Sequence, residues 1–193
     1  MGREFELKYA ATAQDLEILK ARYPGLRSIA METTYYDNAQ GDFSRLHWTF
    51  RRRMENEKSI CTLKIPASGG ARAEFEAECD DILDSIPLLR QAGAPVQLLL
   101  LAADGVTPFC GARFTRLAGV LELPGCKAEL ALDEGVLLGG GKELPFREVE
   151  LELKEGSEEA LAAFAEGFAT ELGLKPEPKS KVARARQLAA SRR

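Results

Sequence analysis

Several segments of this chain alternate charged and apolar residues with a period of two, and their charged members are sorted by sign. Glu4-Phe5-Glu6-Leu7-Lys8 is the first, and a late stretch repeats it with Glu148, Glu150 and Glu152 set against Val149, Leu151 and Leu153. Arg51 and Arg53 share a face of another segment, as do Thr62 and Lys64, while Arg72, Glu74, Glu76 and Glu78 stand opposite Phe75, Ala77 and Cys79. Lys127, Glu129 and Asp133 alternate with Ala128, Leu130 and Leu132. Period two is strand periodicity, because side chains two apart lie on the same face of a sheet. Such a chain has to build antiparallel sheet, and the charged faces decide how that sheet is used.

For one strand alone, a charged face is what an antiparallel sheet ordinarily turns to water. Taken together, these faces are unusual. Three glutamates two apart repel one another and call for a nearby cation. The polar positions carry little of the Thr, Ser and Gln that dilute ordinary solvated strands, and they segregate into Glu-rich and Arg/Lys-rich members. If the sheet closes with these faces inward, the lumen carries both signs of charge and the apolar faces pack outward against helices. Hard divalent cations such as Mg2+ or Mn2+ prefer carboxylate oxygens, and phosphate oxygens prefer Arg and Lys, so a metal-bound polyphosphate satisfies both sets.

The remaining pattern supplies the other elements. Residues 3–9 read as a strand, followed by a helix of about ten residues capped by Thr12 with Asp15 and stopped by Pro24-Gly25. A strand over 26–37, a hairpin of 47–56 with 58–66, and the alternating stretch 71–79 follow, then one or two Leu-rich helices in 81–102. Strands are expected again at 109–121, 126–133 and 145–154, with turns at Pro124-Gly125, Asp133 to Gly135 and Gly139 to Gly141. Ser157 caps an amphipathic helix that ends at Gly173, and a short basic helix from Lys179 follows Pro176 and Pro178. The sum is an α+β fold of roughly eight antiparallel strands, enough to close a barrel. With 193 residues, no internal repeat and no linker, the expectation is one domain over 1–193.

Composition narrows the chemistry. His47 is the only histidine, which removes Ser-His-Asp, Cys-His and multi-histidine metal sites. Cys61, Cys79, Cys110 and Cys126 are far apart with no C-x-x-C pair, so neither a zinc knuckle nor a redox dithiol is expected. A net charge of -4 argues against a nucleic-acid binder. Charges scattered through the first twenty residues exclude a signal peptide, and no apolar run is long enough to span a membrane, so a cytoplasmic protein without a membrane partner is expected. Gly139-Gly140-Gly141-Lys142 is read as a hairpin turn, since Glu143 stands where a phosphate loop needs Ser or Thr.

Glu4-x-Glu6-x-Lys8, Tyr36-Asp37, Phe50-Arg51-Arg52-Arg53, Thr62-Leu63-Lys64, Arg72-x-Glu74, Arg113, Asp133-x-Gly135, Glu148-x-Glu150-x-Glu152 and Ser180-Lys181 occur in an order that resembles the CYTH, or triphosphate tunnel metalloenzyme, family. Arg52 and Asn38 depart from the usual pattern and touch none of the ligand set. The resemblance implies an eight-stranded antiparallel tunnel, closed by a C-terminal plug helix, that binds a triphosphate with one or two Mg2+ or Mn2+ ions. It implies that Glu4, Glu6, Glu148, Glu150 and Glu152 bind metal, with Glu4, Glu6, Glu150 and Lys8 catalytic. Lys8, Arg51, Arg53, Lys64, Arg72, Arg113, Lys181 and Arg184 would bind substrate, and Glu74, Glu76, Arg116, Lys127, Glu129 and Asp133 are further candidates.

The activity implied is hydrolysis of inorganic triphosphate to pyrophosphate and phosphate, by a monomer or homodimer. Thiamine triphosphatases and class IV adenylyl cyclases belong to the same family, and a non-catalytic polyphosphate- or nucleotide-binding module is the alternative of another class. Only Met1-Gly2-Arg3 precede Glu4, without the His-Phe pair typical of the cyclases, and five glutamates exceed what simple anion binding needs.

Overall fold

The computed structural model describes residues 5–67 and 72–191. In chain order it contains β1 (Glu6–Ala10), α1 (Ala13–Arg22), β2 (Arg27–Asp37), α2 (Asp42–Arg45), β3 (Thr49–Glu55), β4 (Lys58–Pro66) and β5 (Arg72–Glu78). Then come α3 (Ser85–Gln91), α4 (Gln97–Leu101), β6 (Thr107–Leu123), β7 (Cys126–Gly139), β8 (Lys142–Gly156), α5 (Glu158–Leu172), β9 (Lys175–Pro176) and α6 (Lys181–Ala190). All the strands join one antiparallel sheet in the order β5-β4-β3-β2-β6-β7-β8-β1-β9.

Local chemistry sets the helix ends. The Asp15 N–H donates to Thr12 Oγ1 at 3.2 Å and the Thr12 N–H donates to Asp15 Oδ2 at 2.7 Å, closing the capping box of α1. Ser157 and Ser180 accept from the backbone of Ala160 and Ala183 at the starts of α5 and α6. The short α2, which sequence pattern does not announce, hangs on buried Asp37, whose carboxylate accepts from the N–H groups of Phe43 and Ser44 at 3.0 Å. Tyr36-Asp37 therefore has a structural explanation in the loop that it braces.

The apolar faces pack outward, as the alternation requires. Leu16 and Leu19 of α1 and Leu161, Ala165 and Phe168 of α5 bury the outer faces of β7 and β8 through Leu130, Leu132, Val149 and Leu151. Phe43, Ile86, Leu89 and Leu98 cover Phe50, Cys61, Leu63 and Phe75 on the other half of the sheet. Helix α6 does something different, because it lies against the concave side. Its Ala185 packs with Tyr35, Phe114, Leu137 and Phe146. A Cβ on Gly139 would meet the Ala185 carbonyl oxygen at 2.4 Å, so only glycine admits α6 this close to β7. The C-terminal helix plugs one end of the trough, where Ala185 meets this apolar group and Lys181 and Arg184 meet buried carboxylates.

Three expectations change. The tunnel forms, but its hydrogen bonding does not close: β5 and the two-residue ninth strand β9 are the sheet edges among the described residues. Pro176 has no N–H to carry the ladder further, and Pro178 follows it. Asp133 to Gly135 is not a turn, because β7 runs through it, paired with β6 on one side and β8 on the other. A Cβ at Gly135 would meet the Arg113 carbonyl oxygen at 2.2 Å, so this glycine serves strand contact rather than chain reversal. His47 precedes β3 in an exposed left-handed turn at φ 56° instead of sitting on the strand. The turn at Gly139 to Gly141 is present, with Gly140 and Gly141 at positive φ.

Candidate active site

The concave face encloses a cavity of about 540 Å³ in which eight of the lining residues are Lys or Arg and seven are Glu. The two signs are therefore nearly balanced within the cavity. The charges are sorted by strand. β1, β7 and β8 present Glu6, Glu129, Glu150 and Glu152, and β3, β4 and β5 present Arg51, Arg53, Lys64 and Arg72 with Glu55, Glu74 and Glu76. Between them β2 and β6 contribute Ile29, Met31, Thr33, Tyr35, Phe114 and Arg116.

On the basic wall, Lys64 Nζ lies 3.2 Å and Arg51 3.6 Å from Glu74, and Arg53 pairs with Glu55. Arg72 donates to the His47 carbonyl at 3.0 Å and to Thr49 Oγ1 at 3.3 Å. The buried Nε atoms of Arg51 and Arg53 have no hydrogen-bond partner among the described residues. Burial, with Arg51 beside it, pulls the basicity of Arg53 below the usual guanidinium value. Buried cationic donors in this condition are stabilised by an anion that accepts from them.

The carboxylate wall has two levels. At the deeper one, Asp133, Glu148 and Glu150 each offer an oxygen within 4.8 Å of the others, a buried cluster able to hold a metal ion. Lys181 of α6 reaches into it, with Nζ 2.8 Å from Asp133, 2.6 Å from Glu150 and bonded also to Glu148. Arg116 grips Asp133 in bidentate fashion at 2.8 and 2.7 Å and also bonds Glu150, while Arg184 bonds Glu148. Burial pushes the Glu150 carboxyl up, yet Lys181 and Arg116 outweigh it and hold that group well below the ordinary carboxylate range. For Glu148 burial prevails over Lys181 and raises the carboxyl. Burial opposes the charge on Lys181, but Glu150, Asp133 and Glu148 hold it firmly protonated.

The shallower level is a row across three strands. Glu6 of β1 stands directly opposite Glu152 of β8, and Glu152 opposite Glu129 of β7. Lys154 lies 2.8 Å from Glu152 and 3.7 Å from Glu129. Like charges directly opposed on neighbouring strands destabilise a sheet unless a cation joins them, and oxygen donors of this kind suit a hard divalent ion.

Most of the sequence-derived candidates meet here. Glu6, Lys8, Arg51, Arg53, Lys64, Arg72, Glu150, Glu152 and Lys181 line the cavity, with Glu148 buried and Arg184 half-buried behind them. Glu4 lies outside the described residues. Arg113 does not join them: its side chain is 60% exposed and pairs with Glu143 at 3.1 Å on the outside. On β6 the concave positions are Phe114, Arg116 and Ala118, so Arg113 has the wrong parity and Arg116 the right one. Lys127 also points away and pairs with Glu122 and Glu155 near the β6–β7 turn. Asp133 and Arg116 rank higher than the sequence suggested, and Lys154 was not singled out at all. The strand expected over 145–154 already contains Lys154, two residues beyond Glu152 and therefore on its face. All four cysteines are free, and burial pushes the Cys61 thiol up to about 11 and that of Cys110 to about 12, which leaves them poor nucleophiles. No helix among the described residues is long and apolar enough to cross a membrane.

The model of the CYTH domain matches residues 2–185. An inorganic triphosphatase from Haemophilus influenzae is 27% identical, over 86% of this chain and 49% of the relative, so the chain spans about half the length of that protein. A candidate adenylyl cyclase from Hippeastrum, described as revealing a dominant triphosphatase activity, superposes with a TM-score of 0.72 at 22% identity over 96% of each chain. A candidate adenylate cyclase from Bacillus halodurans follows with a TM-score of 0.66 at 16% identity, over 93% of this chain and 96% of its own.

Proposed function

Because this chain belongs to the CYTH domain family, we propose that it is a hydrolase that cleaves inorganic triphosphate to pyrophosphate and phosphate with the help of Mg2+ or Mn2+. One observation carries the reading: a wall of Arg51, Arg53, Lys64 and Arg72 faces a wall of carboxylates across one cavity. The name of the Haemophilus influenzae relative and the activity described for the Hippeastrum protein agree with it.

Arg51, Arg53, Lys64, Arg72 and Lys8 would bind the non-bridging oxygens, drawing the polyanion against the basic wall and neutralising charge as the terminal P–O bond breaks. The carboxylate wall would then lie behind the terminal phosphorus, on the side from which water attacks in line. Glu6, Glu129 and Glu152, with Glu4 as a further ligand suggested by sequence, would hold the ion. Held by these carboxylates, an ion of this kind would supply Lewis-acid charge neutralisation and would make water a better nucleophile. A carboxylate of the same row would accept the proton that the water loses. No protein nucleophile is required, and positioning with electrostatic stabilisation supplies the catalysis.

The test is phosphate release by the purified chain from inorganic triphosphate, thiamine triphosphate and ATP, each with Mg2+ or Mn2+, with cyclic AMP measured in parallel. Turnover of inorganic triphosphate above the other two is expected. Cyclic AMP without phosphate release would replace the reading with a cyclase, and tight binding without turnover would replace it with a binding module.

A further inference from the structure

Thr33, Thr49 and Thr62 stand on the concave face of the sheet, and two of their hydroxyls are occupied. Thr62 Oγ1 donates to Glu76 at 3.1 Å, and Thr49 Oγ1 accepts from Arg72 at 3.3 Å. Thr33 is different. It lies near the middle of β2, lines the cavity at 3% exposure and makes no hydrogen bond through its side chain among the described residues.

Its surroundings explain why. On the β6 side it faces Ala112, which has no polar side-chain atom, and along β2 its own face continues to Met31 and Tyr35. On the β3 side it stands directly opposite Arg53, whose Nε is buried and likewise without a partner, while the far end of that guanidinium pairs with Glu55. A neutral donor and a cationic donor are thus side by side between the two charged walls, and they do not bond each other. Side chains directly opposite on neighbouring strands have Cβ atoms about 4.5–5.5 Å apart, so a single small acceptor reaches both.

A buried hydroxyl without a partner is a cost to the folded state. Valine has nearly the same shape and suits the centre of a strand at least as well, so the sheet itself has no use for the Thr33 oxygen. An anionic oxygen between Thr33 and Arg53 satisfies both, accepting from the hydroxyl and from Nε–H. We propose that Thr33 is a further substrate-binding residue, whose hydroxyl donates to a non-bridging oxygen of the phosphoryl group that Arg53 holds. The inference rests on the triphosphate reading of this cavity and adds a neutral donor to its charged residues. A guanidinium attracts any phosphoryl group nearby, whereas a hydroxyl counts only at hydrogen-bond distance, so Thr33 settles which group of the polyanion rests beside Arg53.

The test compares the wild type, Thr33→Val and Thr33→Ser by calorimetric titration with inorganic triphosphate, by phosphate release with Mn2+, and by thermal unfolding without ligand. Thr33→Val should raise Kd and KM for triphosphate by about tenfold, the weight of a hydrogen bond to a charged group. Its kcat should stay within about twofold, because the bond is made in the ground and transition states alike. Thr33→Ser, which keeps the hydroxyl, should bind within about threefold of the wild type. Free Thr33→Val should unfold at or above the wild-type temperature, since the lost hydroxyl had no partner in the fold. Wild-type Kd and KM in Thr33→Val, weak binding by Thr33→Ser as well, or a free Thr33→Val that unfolds earlier or fails to fold would overturn the assignment and leave the triphosphatase reading intact. A wild type that binds triphosphate without turnover would remove that reading while Kd still decides on Thr33, and one that does not bind triphosphate would overturn both.

Discussion

The two levels of the carboxylate wall are chemically alike and differ in their company. Asp133, Glu148 and Glu150 are enclosed, with Asp133 and Glu148 wholly buried, and are answered oxygen by oxygen by Arg116, Lys181 and Arg184. Glu6, Glu129 and Glu152 lie one strand-step outward, half-buried or exposed, with Lys154 between two of them. A buried carboxylate without a partner is untenable, so the deeper level has to be completed by the protein itself. The shallower level is open to solvent and does not carry that requirement. Acidic residues on the same face of the same strand, Glu148 and Glu152 on β8, thus sit in different surroundings: one is wholly buried among cations and the other is half-buried on the cavity wall.

The contrast can be broken most severely at Arg116. Arg116→Met leaves Asp133 and Glu150 without their guanidinium and should destabilise the fold by about 3–5 kcal/mol in urea unfolding; a loss below about 1 kcal/mol would mean that the deeper level is not a structural unit. On the basic wall, Arg53→Ala should raise KM for triphosphate by about ten- to a hundredfold, the weight of one charged hydrogen bond to the ligand, with the unfolding midpoint little changed. Gly139→Ala pushes a methyl into the Ala185 carbonyl and should cost about 1–3 kcal/mol, because β7 and α6 must part. Smallest is Arg113→Ala. Its exposed pair with Glu143 is worth under about 1 kcal/mol, and both stability and turnover should stay at wild-type level.

Much of this arrangement is legible in the sequence because alternation is a local property. Glu148, Glu150 and Glu152 share a face whatever the rest of the chain does, and so do Arg51 and Arg53. What the sequence hides is where a strand ends and which parity it enters with. Asp133-Glu134-Gly135 has turn chemistry, yet Phe114 on one side and Phe146 on the other hold it in the sheet, and that pairing is decided by residues far away in the chain. Arg113 and Arg116 both lie on a predicted strand and differ by an odd number of residues, so only the observed register puts Arg116 inside and Arg113 out. Lys181 was legible as a cation that reaches the tunnel. That it meets three carboxylates instead of facing the basic wall follows from α6 docking on Gly139, a contact with no local signature. The short β9 and the open edge beside it likewise depend on Pro176, whose effect on closure appears only once the neighbouring strands are known.

In the proposed reaction the row of Glu6, Glu152 and Glu129 works together with the opposing arginines on a triphosphate. Its most direct test is phosphate release from inorganic triphosphate with Mn2+, measured side by side for the wild type and Glu152→Gln, with unfolding followed on both. The wild type should yield pyrophosphate and phosphate, and Glu152→Gln should lose about a hundredfold or more in turnover at unchanged stability. Equal turnover by the two proteins, or a folded wild type that releases no phosphate, would contradict it.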